Sequence, residues 1–173
     1  MQKARTTTYR HFFQLTGFLF ASLYSMEGGS MSSLFGTEVV LFSPMEGVIT
    51  YEGKPASNAK ITRRIIWKGD EGESDTFYTS DNGEFSLPIK KDKVRIPLLG
   101  EFVLTQELSV FYEGQEFFIW FRQKQDLDEY GELGGIPLNF RCELTEKRIG
   151  QEDYIGLFST SCKWDSIAKQ GGK

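Results

Sequence analysis

Apolar positions in this chain come in short runs, most of them β-branched or aromatic and each closed by a turn signal. The first is residues 37–42 (TEVVLF), stopped by Ser43-Pro44, and the next is 47–50 (GVIT), followed by the turn YEGKP at 51–55. A small-residue link, Ala56 to Ala59, leads to residues 61–67 (ITRRIIW). After a polar loop come TFYT at 76–79, the corner Asp81-Asn82-Gly83 and EFSL at 84–87. Downstream, 102–104 and 108–112 precede a Glu113-Gly114 hairpin turn. The apolar run FFIWF at 117–121 follows, then a strand over 138–144 and a last short one over 154–158. Runs of this length at this spacing predict an all-β chain, and no segment keeps the 3.6-residue period of an amphipathic helix. The expectation is an antiparallel β-sandwich of seven to nine strands occupying residues 37–164 as one domain, with 165–173 as a flexible tail. Val48, Ile61 and Phe85 are expected in its core.

Three segments carry more specific expectations. Asp81-Asn82-Gly83 reads as a hairpin corner, because Asn and Gly tolerate the positive φ that a type I′ turn needs. The charged run Lys90-Lys91-Asp92-Lys93 reads as a solvated turn. Five consecutive apolar residues at 117–121 indicate either a strand buried on both faces or one that presents an aromatic surface.

Residues 47–87 also carry a recognisable order: G-x-V, G-x-P, a small-residue link, and a T-D-x-x-G-x-F-like hairpin. The order resembles the carboxypeptidase-regulatory-like, or transthyretin-like, sandwich. That resemblance implies an Ig-like β-sandwich that serves as a binding or structural accessory and carries no chemistry. The downstream half, with ELGGIPL at 132–138 and SCKW at 161–164, looks like a bacterial family of uncharacterised small domains built on the same sandwich. In general character the chain also resembles the periplasmic immunity proteins that neutralise toxins of rival bacteria.

Composition narrows the chemistry. Among 173 residues there is a single histidine, His11, at the edge of an N-terminal apolar segment. A mature chain without that segment has no histidine, which removes His-based triads and His-ligated metals. No phosphate-binding glycine loop or nucleophile elbow is present. A net charge of -4 gives no basic footprint for nucleic acid. We therefore expect a non-enzyme with no cofactor and no metal.

Residues 1–30 form a leader: Lys3, Arg5 and Arg10 precede an apolar run over 12–24 that is of secretory length and too short for a comfortable membrane span. That reading sends the protein to the periplasm or the exterior, with no stable membrane span once the leader is removed. Met31 offers an alternative start, which would make the protein cytoplasmic. Cys142 and Cys162 are an even pair, and zinc would need two further ligands that the sequence does not offer. A disulfide would close a loop of about twenty residues and contribute roughly 3 kcal/mol. Reduced buried thiols are the other reading, whereas export and a bridge support each other.

The candidate recognition elements are an acidic loop at 126–135 (DLDEYGELGG) and the aromatic strand after it in rank. Asp126 and Asp128 begin like a calcium loop, but Tyr130 and Pro137 stand where oxygen ligands belong. The expected role of Asp126, Asp128, Glu129, Tyr130, Glu132 and Trp120 is therefore contact with a protein partner. The alternative is a small-ligand or carbohydrate-binding module in which Trp120, Trp67 or Tyr130 stacks on sugar faces.

Overall fold

The computed structural model describes residues 36–68, 71–95 and 102–169. All of them belong to the compact unit Met31–Lys173, and the expected leader lies outside the described residues. The described residues form strands and turns without helix, so the all-β expectation holds. None of them forms a helix long and apolar enough to cross a membrane.

The strands are β1 (Thr37–Phe42), β2 (Met45–Tyr51), β3 (Lys54–Pro55), β4 (Lys60–Ile66), β5 (Glu73–Tyr78), β6 (Glu84–Leu87), β7 (Lys90–Val94) and β8 (Leu104–Tyr112). They continue as β9 (Gln115–Lys124), β10 (Ile136–Leu138), β11 (Arg141–Glu143), β12 (Ile149–Gly150), β13 (Phe158–Thr160), β14 (Cys162–Lys163) and β15 (Ser166–Ala168). These fifteen strands among the described residues exceed the seven to nine expected, chiefly because residues 136–168 fold as six short pieces. The largest sheet is antiparallel, in the order β12-β13-β9-β8-β4-β5. A five-stranded sheet has β2 as its spine, with β11 on one side and β6 and β3 on the other, and β14 outside β11. The β2–β11 pair is parallel, which fits two strands joined by a long passage through the other sheet. Two-stranded pairs β1-β7 and β10-β15 complete the structure, so part of the expected tail is a strand.

The two large sheets meet through rings. Tyr51 of β2 lies edge-on to Tyr112 and Phe117 of β8 and β9, at 5.6 and 5.7 Å between centroids. Alternation along β4 buries Ile61, Arg63 and Ile65, and along β8 it buries Leu104, Gln106, Leu108 and Val110. Ile61 and Phe85 are core residues as expected, whereas Val48 is half-buried and lines the outer face of its sheet.

The run 117–121 resolves through a bulge. Leu108 faces Trp120 while Ser109 faces Phe118, so Ile119 is the extra residue. A bulge lets two successive side chains point inward, and Ile119 and Trp120 are both buried while Phe118 stays exposed.

Two turns follow their sequence signals. Glu52-Gly53 and Glu113-Gly114 have φ of 52°, 74°, 48° and 74°, the double positive φ of type I′ hairpins. The corner at 81–83 does not. Only Gly83 has positive φ there, and β5 and β6 belong to different sheets, so residues 79–83 carry the chain from one sheet to the other. Gly83 is needed for close approach, since a Cβ would meet the Ile49 carbonyl oxygen at 2.5 Å. Lys90 to Lys93 form β7 and not a turn, pairing antiparallel with β1, and three of the four charges meet an opposite charge. Lys91 reaches Glu38 at 3.6 Å, Lys90 reaches Glu73 at 3.3 Å, and Asp92 pairs with Lys68.

Cys142 and Cys162 form a disulfide between directly opposed residues of β11 and β14. It ties β14 to β11, the strand beside the spine of the five-stranded sheet. Replacing both cysteines by serine should lower unfolding free energy by about 3 kcal/mol in the chain-entropy account, read as a reduced urea midpoint. An unchanged midpoint would show that the bridge adds nothing to stability.

Candidate functional site

The acidic loop 126–135 is held by a side chain that points into the protein. Glu132 is 2% exposed, and its Oε1 accepts hydrogen bonds from Lys124 Nζ at 3.1 Å, Gln106 Nε2 at 2.8 Å and Ser43 N at 3.0 Å. Its Oε2 accepts from Ser43 Oγ at 2.5 Å. Lys124, itself fully buried, also donates to the carbonyls of Val40 and Asp128, at 3.3 and 2.9 Å. Each partner has a positional reason. Lys124 ends β9 on the inward side of the alternation, Gln106 faces inward on β8, and Ser43 follows β1 at the stop signal Ser43-Pro44.

Around that anchor the backbone of the loop is closed. Asp126 Oδ1 accepts from Asp128 N at 2.8 Å, the Asp128 carbonyl accepts from Gly131 N at 3.2 Å, and Tyr130 N donates to Ser43 Oγ at 2.6 Å. A Cβ at position 131 would come within 2.7 Å of the Asp126 carboxyl carbon, so this glycine permits the tight return. Arg122, on the inward face of β9, donates to the carbonyls of Glu132 and Ile155 at 3.2 and 2.7 Å, fixing the loop to a second one. Burial lowers the Arg122 pKa, and the negative charge of Glu132 works against that.

The six expected contact residues divide accordingly. Asp126 and Asp128 are exposed, and Glu129 and Tyr130 are half-buried at the surface. Glu132 is a correction: its carboxylate is enclosed and fully engaged, so it holds the loop and does not meet a partner. Trp120 is a second correction. It is completely buried against Phe158 and Phe140, at 4.7 and 6.1 Å between centroids, because the bulge turns it inward. It cannot stack on a sugar, and Trp67 and Tyr130 are each half-buried.

Tyr130 lies beside a groove on the outer face of the five-stranded sheet. Burial raises its phenol pKa, and the negative charges of Glu129, Glu46 and Glu132 push it in the same direction. The neighbourhood is therefore electronegative.

Other ionised groups serve the framework. Arg63, 1% exposed, forks onto Asp75 at 3.0 and 2.7 Å, donates to the Pro88 carbonyl at 2.6 Å and lies over the Phe42 and Phe77 rings. Burial would raise the Asp75 pKa, but the hydrogen bond and charge of Arg63, with Lys90, hold it below the usual carboxylate range. Glu143 accepts from Thr50 Oγ1, Thr145 Oγ1 and the amides of Glu52, Gly53 and Thr145, all at 2.6–3.0 Å. Burial alone would raise its pKa. The bonds from Thr145, Thr50 and Gly53 outweigh that and lower it to about 2. Among the described residues no three His, Cys, Asp or Glu side chains are grouped to hold a metal ion.

A family profile described as "Domain of unknown function (DUF6795)" matches residues 45–147, more than half of the chain, and the protein belongs to that family. No curated protein and no solved structure matches the chain.

Removing one member of the buried pair should be costly. Glu132→Ala leaves Lys124 enclosed without its carboxylate and should destabilise by about 3–5 kcal/mol, measured by urea unfolding. Lys124→Met combined with Glu132→Leu should recover most of that loss; equal instability in the double variant would refute an unpaired charge as the cause.

Glu143 sets a pH dependence. Its folded pKa lies below the ordinary value of 4.5, so its contribution is present above about pH 4.5 and is lost as pH falls through about 2. Glu143→Gln should lower the urea midpoint at pH 7 and flatten its decline between these two values. A decline as steep as in the parent protein would assign the acid sensitivity elsewhere.

Proposed function

We propose that this protein is a non-enzymatic, exported β-sandwich that binds a protein partner, with the exposed carboxylates of the 126–130 loop as a principal contact. The observation that carries this reading is the mounting of the loop. Asp128, Glu129 and Tyr130 project from a segment whose buried anchor, Glu132, is fixed by three separate parts of the chain. Recognition loops on rigid scaffolds are the usual arrangement for selective binding, because little ordering entropy is lost on association.

Three further points support it. The buried ionised side chains Arg63, Arg122, Lys124 and Glu132 are all occupied in framework bonds, which leaves them poor candidates for acid–base work. The disulfide suits an oxidising compartment and hence export. The motif order in the sequence of residues 47–87 resembles a carboxypeptidase-regulatory-like or transthyretin-like sandwich, a class of binding and structural accessories. The partner that an acidic surface suits is a protein with a cationic face, and a toxin held in a 1:1 complex by an immunity protein is one form of that partnership.

The test is kinetic. A partner is isolated from native extracts, and its association is compared with the parent protein and with Asp128→Lys combined with Glu129→Lys. Asp126 is kept because it caps the loop. Association at low salt should slow about tenfold and lose much of its salt dependence, with thermal stability little changed. An unchanged association rate at full affinity would remove the loop from the interface.

A further inference from the structure

The groove beside Tyr130 has its own charge and shape. Its floor is the outer face of β2 and β6, where Glu46 is opposite Ser86 and Val48 is opposite Glu84. Chain leaving β5 at Tyr78 flanks it on the β6 side, and residues 136–140 flank it on the β11 side. Glu46 and Glu84, both exposed, are the only charged residues among the described ones that line it. The nearest cation in the sheet register is Arg141, next to Val48, and its guanidinium is held by Asp165 at 2.7 Å and the Asn139 carbonyl at 2.9 Å. Two large apolar surfaces stay open to solvent there: Tyr78 is 59% exposed and Leu138 is 44% exposed.

The groove has a volume of about 1090 Å³ and is open to solvent. Glu46 and Glu84 are diagonal neighbours on one face of an antiparallel pair, which sets their Cα atoms about 7–8 Å apart. Residues two apart in an extended strand are separated by about 6.8 Å, with their side chains on the same side. Basic residues at alternate positions of an extended segment therefore match the two glutamates in spacing.

We propose that this groove binds an extended cationic segment of a protein partner, with lysine or arginine side chains two residues apart pairing with Glu46 and Glu84. The aliphatic stems and neighbouring apolar side chains of that segment cover Tyr78, Tyr130 and Leu138, as long basic side chains do when the charged head is paired. The inference rests on the reading of the chain as a partner-binding protein, and it assigns the class of ligand and the place where it lies. Gly47 is part of the design: a Cβ there would meet the Phe140 carbonyl oxygen at 2.4 Å, so glycine lets the 136–140 segment close against the floor.

The test uses synthetic nine-residue peptides, one with lysines at alternate positions and one isomer of the same composition with the lysines adjacent. Binding is measured by calorimetry and by the tyrosine ring resonances. The alternate peptide should bind the parent protein about threefold more tightly than the isomer and shift the Tyr78 and Tyr130 signals. Glu46→Gln combined with Glu84→Gln should weaken it at least about tenfold, with the melting temperature unchanged within about 2 °C because both side chains are exposed. Glu116→Gln combined with Glu152→Gln removes the same charge elsewhere and should leave affinity within about twofold. Equal losses in the two variants, or no loss in the groove variant, would overturn the proposal in favour of diffuse attraction or another site. A peptide that fails to bind the parent protein would overturn the groove assignment alone, since the complex with the native partner tests the broader reading separately.

Discussion

Burying Lys124 against Glu132 imposes the condition on which the placement of the acidic loop depends. Moving two charges out of water costs several kcal/mol for each ion, and their attraction offsets that only when the remaining hydrogen-bonding capacity is filled. Here it is filled from three directions: Gln106 from the six-stranded sheet, Ser43 from the end of β1, and the carbonyls of Val40 and Asp128 around the ammonium. None of these groups can move independently without leaving a buried charge short of a partner. The acidic loop is thereby referenced to β1, β8 and β9 at once, which an apolar plug of similar volume would not achieve with the same directionality. The pair specifies where the loop sits more than it adds to stability.

The same device recurs at Arg63. Its guanidinium has five donors in a fixed plane, and the structure uses them in a fork to Asp75 and a bond to Pro88, with aromatic faces filling the rest. Asp75 belongs to β5, the edge strand of the large sheet, so an inward-facing ion pair holds that edge to the core and places a charge where an incoming strand would need apolar contact. The disulfide does the corresponding work on the other sheet, where β14 has only two residues and could contribute few hydrogen bonds of its own.

How much of this could be read from the residues depends on the kind of signal. The Glu113-Gly114 turn was legible because positive φ at two successive positions is a local demand that few residues meet. The bridge between Cys142 and Cys162 was legible by elimination of other partners. Trp120 was not, because a run of five apolar residues does not reveal which one the bulge adds, and the bulge decides the face. Glu132 was hidden for a related reason. Within DLDEYGEL nothing local distinguishes the carboxylate that will meet Lys124 from those that remain in water; the distinction arises from Gln106 and Ser43, distant in sequence. The run at 90–93 misled because charge suggests solvent, whereas β7 pairs with β1 and Lys90, Lys91 and Asp92 each meet an opposite charge.

The family match also shows why a sequence boundary need not be a folding boundary. Residues 45–147 contain Lys124, Glu132, the acidic loop and most of the groove. They omit Ser43, which supplies two of the bonds to Glu132, and Cys162, which closes the bridge from Cys142. They also omit β13, which pairs with β9 beside the bulge and brings Phe158 against Trp120. A fragment limited to the matched residues would leave Glu132 short of donors, one edge of β9 unpaired and Trp120 without Phe158. The acidic loop and the groove thus lie largely within the family segment, while the interactions that hold them in place reach into β1 and the C-terminal strands.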